Sequence, residues 1–179
     1  MRQISFILVF FTFFFSLSQV QAQKIGYMDL EAAIALMPET AQANRNLQTY
    51  QEKLQQGISA TENYLRSLIA EYQESAQTGG MTEADLKPQA DKIQSLQAEL
   101  QQKQAKAQQD FANKQAQEMS PILEKLEKAM KEHAESNGYT YILNTSSNGT
   151  SIILHGTETD NITKAVLTKL GVKIPEPKQ

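Results

Sequence analysis

The chain has 179 residues, a formal net charge of −3 and no cysteine, so it can carry neither a disulfide nor a thioether lipid anchor. An acidic balance without a concentrated Lys/Arg surface argues against nucleic acid as a partner, because phosphate neutralisation requires one. About a hundred central residues rich in Gln, Ala, Glu and Lys are too poor in apolar side chains to close a globular core and offer only a narrow stripe for burial.

The first 22 residues have the make-up of an export signal. Arg2 is a positive start, Ile4 to Leu17 is an apolar run rich in Phe, and Val20-Gln21-Ala22 fits a small-residue cleavage site. The run is short for a membrane span and polar residues follow it closely. Cleavage after Ala22 removes Arg2 and takes the net charge from −3 to −4. An exported protein without disulfides must be held by packing or by partners.

Lys24-Ile25-Gly26-Tyr27-Met28 reads as a strand. A helical arm then runs from about Leu30 to Ser136, broken at its midpoint by Thr78-Gly79-Gly80-Met81-Thr82. On the ascending side Leu47, Tyr50, Leu54, Ile58, Leu65, Leu68 and Tyr72 recur at three- and four-residue steps, with Thr61 filling the gap. On the descending side Leu86, Ile93, Leu96, Leu100, Ala107, Phe111, Met119, Ile122, Leu126 and Met130 do the same. Such stripes suit an antiparallel coiled-coil seam. The steps Leu54 to Ile58 and Ile58 to Thr61 break heptad spacing and predict local unwinding. Thr82 with Asp85 signals the start of the second helix, and Asn137-Gly138 its end. Arms of roughly 48 and 54 residues reach on the order of 70–80 Å.

A turn near residue 80 pairs residues whose numbers sum to about 160. Pro38 and Pro121 then fall at one level, which makes them a candidate hinge at the base of the arm. The alternative is that Ser120-Pro121 restarts a helix with Pro at its permitted first position.

After the arm, Tyr139 to Leu143 and Ser151 to His155 read as strands joined through Asn148-Gly149, a hairpin signal. A last helix spans about Ile162 to Leu170, capped by Asp160 or Asn161 and stopped by Gly171. The organisation is therefore a signal segment (1–22), a β-rich head (23–37 and 138–179) and an arm (38–137) with its tip near 78–82. The fold class is α+β, a small sheet carrying a long helical hairpin. A three-stranded sheet has two open edges that need pairing or protection, so self-association through the head is the physical expectation. The candidates for that contact are Ile25, Tyr27, Tyr141, Leu143, Ile152 and Leu154.

No catalytic or cofactor constellation is present. His133 and His155 are too far apart in sequence to predict a metal site, Gly79-Gly80 lacks the Lys of a phosphate loop, and no nucleophile-elbow motif places a Ser, His and Asp. Asn144, Asn148 and Asn161 each open an N-x-Ser/Thr triplet; turn and cap roles account for Asn148 and Asn161, and all three are taken as structural. The expectation is a binding protein rather than an enzyme.

Lys24 to Asp29 running into a helix, the Gln/Lys-rich arm, Tyr141-Ile142-Leu143-Asn144, Asp160-Asn161-Ile162-Thr163 and Val166-Leu167 together resemble the Skp/OmpH family of periplasmic chaperones. The resemblance covers the chain from residue 23 onward. It implies a homotrimer whose heads close a small β-barrel and whose arms enclose a cavity, holding unfolded outer-membrane proteins without ATP. On that reading Ile69 and Met81, off the seam, and the glutamines Gln97, Gln101, Gln104 and Gln108 are candidate client contacts, because primary amides hydrogen-bond without charge selectivity and many weak contacts hold by avidity. The chain departs from the cationic arms of the family: residues 39–137 hold eleven Lys/Arg against fifteen Asp/Glu, which disfavours attraction to anionic lipid. The rival class is a trimeric envelope spacer or adaptor that binds one folded partner through its arm tips.

Overall fold

The structure is a computed structural model that describes residues 23–79, 82–147 and 150–174. The signal segment, Gly80 and Met81 at the tip, Asn148-Gly149 and the last five residues lie outside the described residues. The elements are β1 (Lys24–Met28), α1 (Leu30–Leu36), α2 (Pro38–Thr78), α3 (Glu83–Ser136), β2 (Tyr139–Asn144), β3 (Ser146–Ser147), β4 (Thr150–Ser151), a 3-10 turn (Glu158–Asp160) and α4 (Thr163–Lys169).

β1 and β2 pair in parallel, with Ile25 beside Tyr141 and Tyr27 beside Leu143. Parallel strands require a long crossover, and here the whole arm is that crossover. The predicted third strand, Ser151 to His155, is corrected: only Thr150–Ser151 is strand, paired antiparallel with Ser146–Ser147. Beyond it, Ile152 and Ile153 both donate their N–H to the Thr145 carbonyl (2.8 and 3.3 Å). That bifurcation turns the chain out of a ladder. The far side of β1 is met instead by Asn161, and Ile162 N donates to Tyr27 O at 2.9 Å.

The arm is not one ascending helix from Leu30. It breaks at Met37, which takes extended backbone (φ −70°, ψ 131°) ahead of Pro38, as the residue before a proline prefers. Pro38 then opens α2 at the start of its first turn, where a missing N–H costs nothing. The Ile34 carbonyl, left without its helical partner, accepts from Met37 N (3.1 Å) and the Thr40 hydroxyl (2.6 Å). At 41 and 54 residues, α2 and α3 reach about 62 and 81 Å.

The expected start of α3 and the expected glycine stops are present. Asp85 Oδ2 accepts from Thr82 N (3.2 Å) and Thr82 Oγ1 (2.6 Å) at the start of α3. Gly79, Gly138 and Gly171 carry φ of 66°, 71° and 73° where α2, α3 and α4 end, a conformation that glycine reaches without steric cost. The cap expected at Asp160 or Asn161 is corrected: α4 starts at Thr163 with Ile162 at its N-cap and no side-chain cap bond, while Asn161 Oδ1 accepts from Thr163 N at 3.1 Å.

The core lies where the head meets the base of the arm. Met28, Ala33, Met37, Ala43, Ile122, Leu126, Ala129, Ile162, Val166 and Leu167 form one buried cluster. The head sequence alone is too small for a comfortable core, and it recruits the first turns of α2 and the last turns of α3. The residues that carried the family resemblance meet at this junction: Asp29 Oδ1 caps α1 by accepting from Ala32 N (2.9 Å), Asp29 N donates to Thr163 Oγ1 (2.9 Å), and Leu30 N donates to Asn144 Oδ1 (3.2 Å).

Candidate functional site

Two surfaces stand out, one on the head and one along the arm. In β1 and β2 the period of two sends Gly26, Met28 and Ile142 toward the core. Ile25, Tyr27, Tyr141 and Leu143 share the opposite face, in lateral register. That face is uncovered: Ile25 is 47%, Tyr141 54% and Leu143 46% exposed. Ile152 and Leu154 follow nearby in the chain at 58% and 92%, so their lack of strand structure leaves them more exposed still. A contiguous apolar face of this kind marks an interaction surface.

Tyr27 is the member of the set most enclosed by its own chain. The Gly156 backbone runs against its ring, close enough that an added Cβ would stand 2.5 Å from Cε1. Partial burial, then the Glu158 and Asp160 carboxylates, push its phenol above the ordinary value. Beside this face Lys24 lies over the Tyr139 ring, 4.0 Å from its centre, and donates to Asn137 O at 3.1 Å. His133 stacks on the other side of the junction, 6.2 Å from Tyr139, while His155 is in a separate exposed segment.

Along the arm the seam is closed only in places. Ala43 and Leu47 of α2, with Ile122, Leu126 and Ala129 of α3, are buried near the base. Farther out, among the described residues, only Thr61 and Leu96 are. Cross-helix pairs fix the register: Asn46 Nδ2 donates to Glu118 Oε2 (2.8 Å), Lys103 Nζ to Thr61 Oγ1 (2.8 Å), and Lys125 pairs with Glu39. These numbers sum to 164, not to about 160. Pro121 therefore stands opposite Ala43, about one helical turn beyond Pro38, and the shared level expected of the two prolines is corrected. Pro121 is interior to a continuous α3, so it does not restart a helix. It withdraws a hydrogen bond from the Gln117 carbonyl and borders a hollow of about 330 Å³ with Glu39, Gln42, Ala43, Ile122 and Lys125.

Gln97, Gln101, Gln104 and Gln108 are all exposed and follow one face of α3 at four- and three-residue steps. Ile69 is half-buried on α2, and Met81 lies outside the described residues. Gln104 and Gln108 come together at a mid-arm hollow of about 370 Å³ between the helices. Its α2 wall, including Gln51 and Gln55, was not singled out from sequence. The signal for it was the heptad break at Leu54, Ile58 and Thr61.

Residues 24–170 match the family model described as Outer membrane protein (OmpH-like). The chain belongs to the OmpH-like family. The crystal structure of an OmpH-like protein from Caulobacter crescentus, described as a candidate outer membrane chaperone, superposes with a TM-score of 0.68 at 14% identity, covering 83% of this chain and 84% of that one. At that identity the likeness speaks for the fold of this OmpH-like protein, a long helical hairpin on a small sheet. No functionally curated protein matches it. Among the described residues, no helix is long and apolar enough to cross a membrane.

Proposed function

We propose that this OmpH-like protein is an ATP-independent holdase of the periplasm, a homotrimer that keeps unfolded outer-membrane proteins from aggregating between its arms. The observation that carries the reading is the unfinished head: Ile25, Tyr141 and Leu143, on one face in register with the half-buried Tyr27, remain uncovered. Burying such a face stabilises by roughly 25 cal/mol per Å² of apolar area, which drives the heads of several copies together and leaves their arms free. Family membership and the hairpin architecture support the chaperone role. The arms present amides and half-buried apolar groups, which supports an activity of binding.

The test dilutes a urea-unfolded outer-membrane β-barrel protein into buffer with residues 23–179 and without nucleotide, following light scattering. Suppressed scattering at near-stoichiometric trimer is the expected result. No protection would overturn the holdase and favour the adaptor that binds one folded partner. Sedimentation equilibrium tests the assembly separately: a mass of one or two chains at micromolar concentration would refute the trimer.

A further inference from the structure

We infer that the mid-arm hollow is a docking site for an extended, uncharged polypeptide segment, with one bulky apolar side chain on its floor and the flanking main chain hydrogen-bonded to its glutamine rim. This rests on the holdase reading and locates one of its client contacts.

The floor is formed by Leu54 and Ile58 of α2 with Ala107 and Phe111 of α3, all half-buried in the single chain. The sequence opens the hollow at the expense of the seam. Gly57 puts no side chain between the helices, its nearest neighbour being Lys103 Cε, which a Cβ would meet only at 3.9 Å. Glycine in a helix interior is less favourable than alanine by about 1 kcal/mol. Thr61 occupies a buried seam position with a hydroxyl, bonded to the Gly57 carbonyl (3.2 Å) and to Lys103 Nζ (2.8 Å). Ala107 supplies a methyl where the stripe elsewhere on α3 has Leu, Ile, Met or Phe. Ala107 lines the hollow and Gly57 and Thr61 adjoin its α2 wall, and departures from good seam chemistry gathered at one level are the pattern of a site rather than of a scaffold.

The occupant follows from the dimensions. Each wall contributes an i, i+4 pair, so the apolar floor is about 6 Å long. A docking helix needs anchors over two turns or more, whereas two residues of extended chain span about 6.6 Å. A volume of about 370 Å³ is at the lower end of ligand pockets and suits a large side chain rather than a folded surface. The rim chemistry matches a peptide backbone. Among the described residues Gln51 and Gln108 have no side-chain hydrogen-bond partner, and Gln55 and Gln104 make only long contacts of 3.4 Å to Ser59 and Glu62. Each primary amide offers donors and an acceptor, as does each peptide group. Glu62 is the one ionised group on the lining, and Gln104 already donates to it. A segment alternating bulky apolar and small polar residues, the chemistry of an unpaired β-strand, is what this surface fits.

The test uses residues 23–179 and a fluorescein-labelled nonapeptide alternating threonine and valine with one central phenylalanine, read by anisotropy. Replacing that phenylalanine by threonine should weaken binding about tenfold, as the transfer of one large side chain predicts. Ala107→Phe should do the same by filling the floor. The double variant Gln51→Ala, Gln108→Ala keeps strong helix formers at exposed positions and should weaken binding about three- to tenfold, two hydrogen bonds' worth. Should Ala107→Phe fail to fold, the glutamine pair and the altered peptide decide. Unchanged affinity across the folded variants overturns the site, as does a shift in sedimentation mass of Ala107→Phe without loss of peptide binding, which would make the hollow a contact between copies. A wild-type protein that protects the unfolded barrel protein but ignores the peptide sinks the site and leaves the holdase standing. Failure to protect at all sinks the holdase first.

Discussion

Leu126 is fully buried in α3, in the cluster that joins the arm base to α1 and α4, and its truncation tests where the stability of this chain resides. Leu126→Ala removes apolar atoms among neighbours fixed by three helices that cannot all collapse onto the gap, so the expected loss is about 2–5 kcal/mol. Leu68, half-buried in the outer seam, already touches water and can relax, so Leu68→Ala should cost about 1 kcal/mol. For a chain of this size each kcal/mol lowers the melting temperature by about 2–4 °C. Far-UV circular dichroism during heating and urea titration, at one fixed protomer concentration because assembly adds to apparent stability, separates the two. Equal losses, or a larger loss for Leu68→Ala, would refute the assignment of the stabilising core to the arm base.

Acid should loosen the base of the arm and also the start of α3 near its tip. Lys114 and Asn46 hold the Glu118 carboxyl below its ordinary range, as Lys125 does for Glu39, Lys169 for Glu132 and the Thr82 cap for Asp85. Their folded values lie below unfolded values of 4.5 for Glu and 3.8 for Asp, so this contribution is complete above those values and is lost as pH falls through the folded ones. The melting temperature should stay level from neutral pH to about 5 and drop only below about 4.5; no drop on acidification would refute it. Replacing Pro38 and Pro121 by Ala should narrow the distances between spin labels placed near Gly80 in different arms, with Pro121 dominating because, of the two, only it lies inside a helix; an unchanged distribution rejects the hinge. Client protection should change little between about 50 and 500 mM salt, although the screening length shortens several-fold, because the arm is net acidic and its proposed contacts are uncharged; protection confined to low salt would refute that mechanism.

Local chemistry made much of the fold legible. Lys24 to Met28, the Thr82–Asp85 cap, and the stops at Asn137-Gly138 and Gly171 each depend on a few neighbouring residues, and each is where the sequence places it. What escaped depends on distant partners. Ile152 to His155 alternates well enough for a strand, yet a strand needs a free edge in the right place, and Asn161 already occupies the far side of β1. Pro38 marks the level of the break at Met37, but Leu30 to Leu36 and the residues after Pro38 are both good helix, and the direction in which they turn follows from the packing of Ala33 and Met37 into the core. The four-residue offset in arm register likewise arises from which side chains interlock, not from where the tip falls.

The candidate surfaces divide along the same line. The head face was readable in advance because a strand's period is two: once Ile25 pairs beside Tyr141, Tyr27 must fall beside Leu143 on the same side. The glutamine stripe was readable as composition, but composition could not say which amides matter. Gln97 and Gln101 are as exposed as Gln104 and Gln108 and lie on the same helix face. Only the last two border a gap, whose other wall is Gln51, Leu54, Gln55, Ile58 and Glu62, some forty residues or more away in sequence. A heptad break on one helix marks the level of such a gap; the residues that line it on the other helix follow only once the register between the two is known.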